Sequence, residues 1–146
     1  MQRVLAILSL VGIVAAAAVG AEEMKKPGTS AEGMKKPATV TFTGTLVDTK
    51  CYAMNSDNMT DKHGDMPGCG AACANMGIPV GVVRDGKKGD PAVILLAASK
   101  GFASVMGKNV RVTGTSAWNG AAVIPDKVEV QDDKGGWSEV KVKSMM

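Results

Sequence analysis

Residues 51–73 read CYAMNSDNMTDKHGDMPGCGAAC. All three cysteines of the chain and its only histidine fall within them, spaced Cys51-x11-His63-x5-Cys69-x3-Cys73. Thiolates and an imidazole are the donors that zinc prefers in a tetrahedral shell, and they also suit copper. Cys51, His63, Cys69 and Cys73 are therefore candidate metal ligands, for a Zn or Cu ion. Met54, Met59, Met66 and Met76 lie in and beside the stretch and lean the choice towards copper. No C-x2-C pair is present, so the spacing is not that of a standard zinc finger. Asp57, Asp61 and Asp65 lack the D-x-D-x-D-G spacing of a calcium loop and read as solubilising charges.

The same residues support two other chemistries. In an oxidising compartment Cys51, Cys69 and Cys73 are disulfide candidates. A bridge from Cys51 to either of the others closes a loop of roughly 20 residues, worth about 3 kcal/mol. Any bridge leaves one cysteine over. That thiol with His63 offers the third chemistry, a nucleophile and its base. No orienting third residue or oxyanion site accompanies the pair, and GKKGD at 86–90 is not a phosphate loop. The chain reads as a binding or structural module rather than an enzyme, with no catalytic residues assigned. Lys62, Gly64 and Asp65 flank His63 and predict an exposed loop position.

Elements around this stretch must hold it in place. PGCGAACANMG predicts a short helix opening at Pro67 and ending near Gly77, with Cys69 and Cys73 one turn apart on one face. Thr39–Val47 alternates and is β-branched, which predicts a half-buried strand with Cys51 just past its end. Val80–Val83 predicts a second strand, and Ala92–Ala97 a buried strand or short helix. Ser99 is positioned to cap a helix through Met106, with Gly107 as its stop. Asn109–Thr115 predicts another strand. Asn119-Gly120 marks a hairpin into a strand interrupted by Pro125, and Trp137–Val142 closes the set.

Strand, long loop, strand, strand, short helix, strand, strand is the order of the OB-fold. The predicted fold is all-β: a five-stranded Greek-key barrel, OB-fold-like, with a Cys/His-bearing loop-helix after the first strand. A β-sandwich is the alternative. Gly44, Gly81 and Gly114 fall mid-strand, where barrels bend.

The chain begins MQRVLAILSLVGIVAAAAVGAEE, a positive start, an apolar run of 16 residues from Val4 to Val19, and small residues at 19–21. This is the pattern of a secretory signal peptide, 1–21, cleaved before Glu22. The run is short of the roughly 20 residues that a membrane span needs, so no span is expected in the mature chain. Residues 22–38 carry MKKP twice and read as a flexible Lys/Pro linker to a domain at 39–143. The expected location is periplasmic or secreted. A formal net charge of +3 without a basic cluster, and only five aromatic residues (Phe 2, Trp 2, Tyr 1), argue against nucleic acid. The expected partner is a small ligand or an envelope protein, through which a cell-envelope interaction role is a further alternative.

Gly44-Thr-Leu-Val-Asp-Thr-Lys-Cys51, then His63, Cys69, Cys73 and Gly77-Ile-Pro-Val80, then Gly107-Lys-Asn-Val-Arg-Val-Thr-Gly-Thr115 together resemble a group of small exported bacterial proteins of unknown function. They share a G-x-(L/V)-x-D-x-x-C … H … C … C … G … G-K-x-V-x-V-T-G pattern. The resemblance spans about residues 40–130. It implies an OB-like barrel and groups Cys51, His63, Cys69 and Cys73 as one unit. It implies no activity.

Overall fold

The computed structural model describes residues 37–142, so the predicted signal peptide and nearly all of the predicted linker lie outside the described residues. Six strands form one sheet: β1 Thr39–Asp48, β2 Val80–Arg84, β3 Val93–Leu95, β4 Asn109–Ala117, β5 Ala122–Gln131 and β6 Trp137–Glu139. Their order is β3-β2-β1-β4-β5-β6, and β3 also pairs in parallel with β5. That last pairing closes the first five strands into a barrel, the OB-fold-like arrangement expected from the element order. β6 adds to the edge of β5 through Glu129–Glu139, Val130–Ser138 and Gln131–Trp137.

The barrel closes because its strands alternate. Leu46, Val80, Val82, Val110, Val112 and Val123 are fully buried in one apolar cluster, with Phe102 beneath them from a 3₁₀ segment at Ser99–Val105. This segment takes the place of the helix expected there. It begins at Ser99, but Ala98 is its cap residue and no side chain caps it. Gly107 follows with φ +74°, as the stop signal predicted.

Pro125 does not divide the fifth strand. Ala122–Gln131 is continuous, and the register instead shifts between Thr113 and Gly114 on β4, where Gly114 faces Pro125. A proline cannot donate to the ladder, so it sits at the irregularity. Gly114 has no room for a side chain against the Ile124 carbonyl, which is the tight bend its mid-strand position suggested.

Two short helices fill the long connection between β1 and β2: α1 Thr49–Met54 and α2 Cys69–Asn75. Cys51 lies just past the end of β1, as the sequence placed it, in the first turn of α1, a helix that the strand pattern of β1 did not announce. α2 opens at Cys69 rather than Pro67, because Gly68 turns left-handed (φ +75°) between them. It ends as expected. Gly77 adopts φ +87° and the Ile78 amide donates back to the Cys73 carbonyl at 3.0 Å, a Schellman-type stop.

Among the described residues no helix is long and apolar enough to cross a membrane.

Candidate metal centre

β1 delivers the first part of the site. Leu46 packs into the barrel cluster, while Val47 points to the other face and packs with Tyr52 and Val83. By the period of two, Asp48 returns to the face of Leu46, and it is fully buried. Asp48 is also the N-cap of α1. Its Oδ1 accepts from the Cys51 amide at 2.8 Å, so the strand end and the first turn of the helix are held together. This bond fixes Cys51 beside the carboxylate. Tyr52, the next residue, locks α1 to the β2–β3 loop: its hydroxyl donates to the Asp90 carbonyl at 2.8 Å and accepts from the Gly89 amide at 2.9 Å.

The loop 55–68 delivers the second part, and Asp61 anchors it. Its carbonyl accepts from the Gly70 amide at 3.1 Å and its Oδ1 from the Ala71 amide at 2.7 Å. Asp61 thus caps the open amides of α2 from a distance, in place of Gly68, whose lack of a side chain leaves it no capping group. On the other side, the loop backbone rests on Gly107. A Cβ there would lie 2.6 Å from the Asp61 nitrogen and 2.7 Å from the Thr60 Cα. Two residues on, His63 and Met66 exchange backbone hydrogen bonds of 3.1 and 3.0 Å, a small turn that aims the imidazole inward.

His63 is therefore not an exposed loop residue. Only 5 % of it is exposed, and neither Nδ1 nor Nε2 has a hydrogen-bond partner. Its Nδ1 lies 3.6 Å from Asp48 Oδ2, too long for a hydrogen bond, and Oδ2 is itself buried without a partner. Burying an unpaired polar group costs about 1–3 kcal/mol. Three such atoms converge here.

α2 delivers the third part. Cys69 and Cys73 lie one turn apart on the helix, as their spacing required, with Cys73 buried and Cys69 half-buried. Their sulfurs and that of Cys51 lie within 4.8 Å of one another. The ligand atoms of Asp48, Cys51 and His63 meet the same limit. The four residues proposed from sequence thus gather at one place, as two groups of three that share Cys51, and Asp48 joins them. Nothing in the composition of the loop singles out Asp48. The readable signal is an aspartate at a strand end, three residues before a cysteine, which is an N-cap spacing.

All three cysteines are unbridged thiols. Burial, then the neighbouring Asp48 carboxylate and Cys73, push the Cys51 thiol up to about 12. Burial and then Asp48 also raise Cys73. The physical cause is shared: negative charge crowds into a poorly solvated space, so the thiols keep their protons unless a cation offsets it.

The methionines divide. Met59 packs beneath the loop against the Val47, Tyr52 and Val83 cluster, filling a gap as methionine often does. Met54, Met66 and Met76 are 78, 62 and 74 % exposed. Each sits three residues from a candidate ligand: Met54 from Cys51, Met66 from both His63 and Cys69, and Met76 from Cys73.

Comparison with protein-family models, with curated proteins and with solved structures gives no match.

Proposed function

We propose that this protein is an exported metal-binding module: a leader and a tether precede a small barrel that holds a thiophilic ion through Cys51, Cys69, Cys73 and His63, with Asp48 beside them. The observation that carries this reading is His63, buried with both ring nitrogens unpartnered next to Asp48 and Cys51. A disulfide accounts for two thiols but leaves that imidazole and carboxylate unsatisfied. A bound cation can engage the thiols and, unlike a disulfide, the imidazole or the carboxylate.

Thiol catalysis fits less well. A thiol raised to about 12 is protonated at neutral pH and is a poor nucleophile. The chemistry of the donors favours zinc, whose structural sites are rich in cysteine sulfur with histidine. The exposed thioethers of Met54, Met66 and Met76 around the cluster favour cuprous ion as the second choice. Export rests on the leader at 1–21.

The reading is tested by producing the full chain in a bacterial host and recovering it from the periplasm. Intact mass should show a chain beginning at Glu22, and native mass spectrometry should show it carrying zinc or copper. A periplasmic chain two hydrogens light that takes up neither metal would overturn the metal reading. Retention of the whole leader in the cytoplasm would overturn export.

A further inference from the structure

The donors form two groups of three rather than one group of four. Cys51, Cys69 and Cys73 make the first, and Asp48, Cys51 and His63 the second. Building on the metal-binding reading above, we propose that the cluster takes two divalent ions bridged by the Cys51 sulfur. The first ion is held by the three sulfurs. The second is held by Asp48, Cys51 and His63.

Satisfaction of buried groups supports two ions over one. An ion placed among the three sulfurs leaves Asp48 Oδ2 and both His63 nitrogens without partners. An ion placed instead among Asp48, Cys51 and His63 leaves Cys69 and Cys73 unused. Occupation of both groups gives the three sulfurs, Asp48 Oδ2 and one His63 nitrogen a partner, more of the donors than either ion alone.

Charge supports the same count. Three thiolates and one carboxylate carry four negative charges, in a place where Asp48 is fully buried and Cys73 nearly so. One divalent ion offsets two of these charges, and two divalent ions offset all four. A thiolate has lone pairs for two metals. With zinc–sulfur bonds of about 2.3 Å, ions on one sulfur stand no more than about 4.6 Å apart. The backbone already prepares the bridge. Asp48 Oδ1 is occupied by the Cys51 amide, so its free Oδ2 is the atom left for the second ion.

The test is a stoichiometric one. The full chain, with its thiols reduced, is equilibrated with excess Zn²⁺, exchanged into volatile buffer and weighed by native mass spectrometry. Two zinc ions per chain are expected. A single ion overturns the shared-sulfur proposal while leaving the metal-binding reading standing, and none overturns both. His63→Ala should drop the count from two to one, and a variant that still takes two overturns the assignment of the second site. Loading with isotopically labelled cadmium reads the bridge directly. Two cadmium resonances with mutual scalar coupling are expected, and two uncoupled resonances overturn the sharing of Cys51.

Discussion

His63 Nδ1 lies 3.6 Å from Asp48 Oδ2, and both atoms are buried without a hydrogen-bond partner. The fold therefore carries the cost of three buried polar atoms without partners. Replacing His63 with leucine, of similar bulk but apolar, removes both orphaned nitrogens. Metal-free His63→Leu should be more stable to urea by about 1 kcal/mol, in line with the cost of an unpaired buried polar group, while its affinity for Zn²⁺ falls. A loss of stability of that size would mean that the imidazole is a satisfied part of the core.

Asp48 serves two purposes, and two substitutions separate them. Asp48→Asn keeps an oxygen to cap the Cys51 amide, so helix α1 should survive, with stability within about 0.5 kcal/mol of the parent. Zinc affinity should fall, because the carboxylate charge is gone. Asp48→Ala loses the cap as well and should cost about 1–2 kcal/mol in urea unfolding. Equal zinc affinity in Asp48→Asn and the parent would remove Asp48 from the site.

Gly107 ends the 3₁₀ segment with φ +74° and also supports the loop above it. In Gly107→Ala the methyl group meets the backbone of Thr60 and Asp61, and the left-handed conformation adds its own strain. The expected cost is about 2–3 kcal/mol. The loop that Asp61 ties to α2 should loosen with it, so amide exchange should quicken at Gly70 and Ala71. Unchanged protection at those two amides would show that the loop does not depend on this contact.

The thiols give the site opposite pH dependences with and without metal. Cys51 is raised from an ordinary thiol value of 9.0 to about 12, and Cys73 is raised as well. Above pH 9 the unfolded chain releases these protons before the folded one does. The folded state then binds more protons, so the stability of the metal-free protein falls as pH rises from about 9 towards 12. Zinc affinity runs the other way at lower pH. Binding must displace the protons of Cys51 and Cys73, so the apparent dissociation constant should tighten about tenfold per displaced proton for each unit of rising pH. Competition titrations with a chromophoric chelator between pH 6 and 8 measure this slope, and a flat profile would show that no thiol binds the ion.

Much of this was legible from local pattern. β1 and β4 follow from β-branched alternation, and Gly107 and Gly77 from their positions as stops. Cys69 and Cys73 share a helix face because i and i+4 always do. The sequence by itself determined the strand order that closes as an OB-like barrel, and it placed every cysteine and the only histidine in one connection. The tertiary structure decided what that connection became. His63 has polar neighbours in sequence and reads as exposed, yet the loop folds inward because Asp61 caps α2 and Gly107 admits the backbone. Asp48 reads as the end of a strand, and only the meeting of β1, α1 and the loop turns it into a buried carboxylate facing His63. Periodicity records which residues share a face of one element. Burial, unpaired donors and the division of the candidate ligands around Cys51 arise from packing between elements distant in the chain, and no local pattern encodes them.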